Sequence, residues 1–175
     1  MNTGKTVETK LSSESLESEK LLEPRIDYGK VAPEAVQAMI TVQHYVDNSG
    51  LPESLLELVR MRTSQLNGCA YCLDMHSKDA RTEGETEQRL YLLDAWREAP
   101  FYTDRERAAL EWTEAVTLVS KSHVPDPVYE NVRKYFTDKE IVELTIAIIT
   151  INGWNRLSIS MRHVAGTYQP HSESG

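Results

Sequence analysis

The chain has 175 residues, 26% of them charged and 40% hydrophobic, with a formal net charge of −8; this suits one globular domain with a full core. The acidic balance and the absence of a dense Lys/Arg cluster exclude a phosphate-tracking surface, so no nucleic-acid partner is expected. The amino terminus shows neither a signal-peptide core nor an Arg-rich transit pattern, and the longest apolar-rich run, 141–151, falls short of the roughly 18 residues of a membrane span, so a cytoplasmic protein without a membrane partner is expected.

Residues 1–23 are rich in Ser, Thr, Glu and Lys. Such a composition cannot bury enough apolar surface to offset ordering entropy, which predicts a flexible acidic tail. A weak amphipathic helix over 16–22 is the competing reading. Residues 24–32, "PRIDYGKVA", read as an extended lead-in. From there to 168 the signals are helical and describe one domain, with 169–175 as a flexible C-terminus.

Pro33 suits the first turn of a helix whose stripe holds Ala35, Val36, Met39 and Ile40. Pro52 opens a second helix carrying Leu55, Leu58, Val59 and Leu66, which Asn67-Gly68 stops. A third runs from about Cys69 to Glu83, and a shorter one from about Thr86 to Trp96. Two capping boxes, Thr103 to Glu106 and Thr137 to Glu140, open further helices. Between them Asp126-Pro127 reads as a cap and a first-turn proline. The segment "IVELTIAIITINGWNRLSISM" is β-branched, which favours a strand; the box before it and its length favour a buried helix continuing past Gly153. The expected fold class is all-α, a bundle of about six or seven helices with the C-x-x-C pair at a helix N-terminus.

Cys69 and Cys72, the only cysteines, are followed by His76. On a helix with Asn67 near its N-cap, positions i, i+3 and i+7 fall on one face within about a sixth of a turn. A helix start favours a thiolate, which is the reactive form of cysteine. His76, one turn beyond Cys72, is close enough to exchange a proton directly or through one water. If the chain turns back at Asn67-Gly68, Glu57 on the preceding helix reaches the His76 face, where a carboxylate would orient the imidazole. Competing readings are a zinc site drawn from Cys69, Cys72, His76 and Glu57, or two simply buried cysteines. For Glu57 the competing reading is an exposed carboxylate or a partner for Arg60 or Arg62.

The stretch "ELVRMRTSQLNGCAYCLDMHSKDAR" resembles the AhpD-like alkylhydroperoxidase and carboxymuconolactone decarboxylase superfamily. Its thiol-peroxidase branch places a glutamate twelve residues before a C-x-x-C-x-x-x-H motif. The resemblance continues through "YLLDAWREAPFYTDRERAALEWTEAV" and "FTDKEIVELTIAIITINGWNRLSIS", covering about residues 24–165. It implies a thiol-dependent peroxide reductase acting on a peroxide substrate and restored by an external dithiol reductant, with no cofactor and no metal. It further implies Cys72 as the attacking thiolate, Cys69 as the resolving partner, Glu57 and His76 as a proton relay, and a homo-oligomer (trimer or hexamer). Tyr71 stands where the best-known peroxidases of the family carry histidine. With an ordinary pKa of about 10, tyrosine is a poorer proton carrier near pH 7.

The remaining polar residues read more plainly. Tyr71 is a packing residue with a polar tip, and Asp74 and Lys78 form a solvent-facing i, i+4 pair. His44 and His123 are surface or loop histidines, and Trp112 is core. Trp154, Asn155 and Arg156 read as packing or subunit-contact residues. His163 and His171 carry no functional signal.

Overall fold

Pro33 begins the first long helix at a position whose amide would be unpaired in any case. In the computed structural model, which describes residues 23–170, that helix is α2 (Pro33–Asp47), preceded by a single turn, α1 (Tyr28–Val31). The central pair follows: α3 (Glu53–Asn67) and α4 (Ala70–Thr82). Next come α5 (Glu87–Leu92), a 3-10 turn (Leu93–Ala95), α6 (Asp104–Thr117), the single turn α7 (Val119–Ser122), α8 (Asp126–Val132) and α9 (Asp138–Met161). Among the described residues every regular element is helical, as expected; seven helices exceed a single turn. None of them is long and apolar enough to cross a membrane. The expected tail, its competing helix over 16–22 and His171 lie outside the described residues.

Both capping boxes form. Thr103 accepts from the Glu106 amide while Glu106 accepts from the Thr103 amide, and Thr137 and Glu140 do the same. The second box launches 24 residues of unbroken helix through the β-branched segment. Helix wins there because Ile141, Leu144, Ala147, Ile148 and Ile151 recur at three- and four-residue spacing and all are buried, which outweighs strand propensity.

Three local expectations are corrected. Residues 24–32 are not wholly extended, because Asp27 accepts from the Lys30 amide and nucleates α1. Asp126 is not the cap of α8; Pro125 occupies that place and Asp126 and Pro127 form its first turn. The helix expected over 86–96 is α5, which tightens into the 3-10 turn at Leu93.

The core has two main parts with α3 between them. On one side Leu55, Leu56 and Val59 pack with Ala109 and Trp112 of α6 and Leu144 and Ile148 of α9. On the other Leu58 and Met61 meet Ala80 of α4, Leu93, Trp96 and Leu110. All ten residues from Leu55 to Ser64 are buried. Helix α3 therefore has no solvent face over nearly three turns, and its charged side chains Glu57, Arg60 and Arg62 are committed to partners.

Gly68 carries the bend from α3 to α4 at φ 69° and ψ 35°, the left-handed region. A Cβ there would touch nothing within 4 Å, so substitution is penalised by backbone conformation alone. Gly68→Ala is expected to destabilise the fold by about 1–2 kcal/mol, read as a lower urea midpoint with an unchanged slope.

Candidate active site

The site is built on the α3–α4 hairpin. Helix α3 closes with the Cys69 amide donating to the Ser64 carbonyl and Gly68 donating to Gln65. Asn67 is the last residue of α3 rather than the cap of the cysteine helix. Its side-chain amide donates to Asn152 (3.0 Å) and Asn155 (2.9 Å) of α9, so it is spent on fastening the bend. Asn155, fully buried, donates in turn to Ser64 Oγ at 3.1 Å. The cap of α4 is Cys69 itself, whose sulfur accepts from the Cys72 amide at 3.4 Å.

Cys69 and Cys72 are joined as a disulfide, with Cα atoms 5.4 Å apart. Both are buried, packed with Ile151, Tyr71 and Trp154. Across the hairpin, His76 Nδ1 lies 3.1 Å from Glu57 Oε2, so the contact expected from the bend is present. His76 is 6% exposed and Glu57 3%. A cavity of about 930 Å³ opens against these groups. Cys72, His76 and Glu57 line it, and Cys69 does not. Its apolar wall comes from Tyr28, Tyr71, Met75, Ile151 and Trp154, and its acidic wall includes Asp47, Glu53 and Asp79.

Glu57 is also ion-paired. Arg60 Nη1 donates to Glu57 Oε1 and to Glu53 Oε1, and Nη2 to Asp47 Oδ1, each at 2.5 Å. Burial pushes the Glu57 carboxyl up, but His76 and Arg60 more than offset it and hold it below the ordinary carboxylate value. Burial likewise opposes charge on Arg60, and its carboxylate partners outweigh it, so the guanidinium stays protonated. Asp79 is held above its ordinary value by burial, despite the hydrogen bond it accepts from Tyr168, with the Glu57 charge adding to the rise.

The C-terminal segment contributes what sequence spacing did not reveal. The His163 ring stacks on Tyr71 with centroids 3.8 Å apart and planes 12° off parallel. Tyr28 Oη lies 3.1 Å from His163 Nδ1. Tyr168 Oη donates to Asp79 at 2.7 Å, and Tyr168 and Pro170 line the cavity. Asp74 and Lys78 do pair, at 2.9 Å, but they also hold this segment: Lys78 donates to the Tyr168 carbonyl and Asp74 accepts from the Gly166 amide. Some ninety residues separate these partners, so no local pattern could have paired them. Trp154 lines the cavity and packs on the cysteine pair. His44 and His123 are exposed and lie outside the cavity lining. Among the described residues no group of three or more His, Cys, Asp and Glu side chains is placed to hold a metal ion.

A family model, the carboxymuconolactone decarboxylase family, matches residues 33–115. The uncharacterized protein YdfG of Bacillus subtilis is 44% identical over 143 residues, spanning 82% of this chain and 97% of its own length. A crystal structure from Agrobacterium tumefaciens, of a protein of unknown function proposed to be the antioxidant defence protein AhpD, superposes with a TM-score of 0.81. It is 42% identical and covers 83% of this chain and all of that one. The apo debrominase Bmp8 shares the fold at a TM-score of 0.73 and 22% identity, over 95% of this chain and 94% of its own.

The Glu57 cluster has a stability consequence with a definite sign. Its folded pKa lies below the unfolded value of 4.5, so its contribution is complete above that pH and is lost as pH falls through the folded value. Glu57→Gln is expected to cost about 3 kcal/mol at pH 7 and to flatten the loss of stability below pH 4.5, checked by thermal melting between pH 7 and pH 3.

Proposed function

The chain belongs to the carboxymuconolactone decarboxylase family in its AhpD-like form, and on that premise we propose that it is a thiol-dependent peroxide reductase. One observation carries this reading: Cys72, His76 and Glu57 line the same cavity, with Cys69 in bonding contact with Cys72 and outside the cavity lining. That asymmetry supports Cys72 as the group that meets substrate and Cys69 as its resolving partner.

In the reduced protein Cys72 is the third residue of α4, where unpaired amides and the helix dipole favour a thiolate. His76, oriented by Glu57, takes the thiol proton directly or through one water. The thiolate attacks the distal oxygen of a hydroperoxide, the O–O bond breaks, and the alkoxide leaves with a proton returned by the relay. The products are an alcohol and a Cys72 sulfenic acid. The Cys69 thiol displaces hydroxide from that sulfur, forming the disulfide and releasing water. An external dithiol then exchanges with the disulfide, is itself oxidised, and restores both thiols.

Tyr71 is held above its ordinary pKa by burial and stacks on His163. It shapes the wall and leaves proton transfer to His76 and Glu57. The cavity's aromatic and aliphatic wall favours an organic hydroperoxide over hydrogen peroxide. The family resemblance also supports a trimer or hexamer. Helices α2 and α9 leave Val42, Tyr45, Val142 and Ile149 exposed, which supplies apolar surface for subunit contacts.

Consumption of cumene hydroperoxide with a dithiol reductant tests the reading. Cys72→Ser is expected to abolish turnover. Cys69→Ser should lose turnover but form one dimedone-reactive sulfenic acid per chain. His76→Ala should lower kcat/KM by roughly 10²–10⁴-fold. Undiminished turnover in Cys72→Ser would sink the proposal, and disulfide cycling without peroxide consumption would make the chain a dithiol–disulfide reductase. A light-scattering mass equal to one 19.9 kDa chain would overturn the oligomer.

A further inference from the structure

The mechanism leaves Arg60 without a task, although it is 5% exposed and sits one turn along α3 from Glu57. A simple counter-ion would need one carboxylate. Arg60 instead takes three, from two helices: Asp47 at the end of α2, Glu53 at the start of α3 and Glu57 inside. A guanidinium is planar with donors in a rigid fork. Anchored by Asp47 and Glu53, it cannot swivel when the relay changes charge.

The two oxygens of Glu57 are divided between partners. Oε1 receives Arg60 and Oε2 faces His76 Nδ1. An ionised carboxylate only accepts, so Nδ1 carries the proton and the other ring nitrogen is left as the acceptor. We propose that Arg60 is the positioning residue of the relay: its Nη1 on Oε1, with the guanidinium fork anchored by Asp47 and Glu53, locks the Glu57 carboxylate so that Oε2 holds His76 in the tautomer able to accept the Cys72 proton.

The surroundings of Glu57 assign this role to Arg60 rather than to another cation. Asp79 of α4 and Glu83, just past it, line the same cavity and add negative charge. On the other side Glu57 lines a second cavity of about 330 Å³ with Glu85, Arg89 and Glu106. There Arg89 is already shared between Glu85 and Glu106. Arg60 is the arginine in direct contact with Glu57, and the carboxylates that line the two cavities beside it favour protonating the carboxylate.

The proposal takes its reaction from the peroxide-reductase reading, but its test needs no peroxide. In the reduced full-length protein, iodoacetamide labelling of Cys72 is followed by peptide mass spectrometry from pH 5 to pH 9. Arg60→Gln is expected to raise the midpoint of Cys72 reactivity by about one pH unit, which is about tenfold slower labelling at pH 7, with recovery at pH 9. Arg60→Lys, which keeps the charge and loses the fork, should fall between it and the parent. In a Glu57→Gln background, Arg60→Gln should change the rate less than about twofold, since coupled residues are non-additive. The His76 ¹⁵N shifts should report the Nδ1-protonated tautomer in the parent and a mixture in Arg60→Lys.

A full Arg60→Gln effect in the Glu57→Gln background would mean that Arg60 acts on Cys72 by charge alone and would overturn the proposal. So would a parental midpoint and tautomer in Arg60→Lys, a result that stands even if Arg60→Gln does not fold. If peroxide turnover is absent while these shifts appear, the peroxide-reductase reading fails and the positioning role of Arg60 stands.

Discussion

The interaction on which the rest depends is the ionic cluster inside α3. This helix is covered on all sides from Leu55 to Ser64, yet the stretch carries a carboxylate and two guanidiniums. Taking such groups out of water costs several kcal/mol per ion unless partners are in place. Neighbouring elements are therefore required to present them: α2 brings Asp47, α4 brings His76, and α6 brings Glu114 to Arg62. The apolar face of α3 sets which helices surround it, and its charges set their angles and register.

Chemistry and architecture are the same contacts seen twice. The bond from His76 to Glu57 satisfies a buried carboxylate and joins α3 to α4. It also orients an imidazole one turn from the Cys72 sulfur, whose pairing partner caps that same helix. Asn67, Asn155 and Ser64 then tie the bend to α9, so the cysteine pair sits on a turn that is braced from below. Rigidity of this kind suits the proposed chemistry, in which a relay keeps its geometry while a disulfide forms and breaks.

Local readings succeeded where the deciding forces are local. Capping boxes work through residues three apart, and Cys72 and His76 share the cavity wall because i, i+4 helical spacing puts them there. A bend at Asn67-Gly68 made the contact with Glu57 possible, and the family resemblance favoured it; the structure holds both that contact and the competing pairing with Arg60. Asn67 was misassigned for the converse reason: an asparagine at a bend has several uses, and its partners lie on α9, more than eighty residues away. The single turns α1 and α7 bury nothing, so no apolar periodicity could have marked them.

By itself the sequence determined the helical class, the order and approximate limits of the long helices, and the placement of Cys72 and His76 one turn apart near a helix start. All of these follow from short-range periodicity and capping. Only the tertiary structure decided the rest. It turned Cys72 rather than Cys69 toward the cavity, surrounded Arg60 with three carboxylates, and brought His163 and Tyr168 back to the α4 wall. Those outcomes depend on which buried groups must share a limited set of partners, and that competition is settled when distant helices pack, not within any one of them.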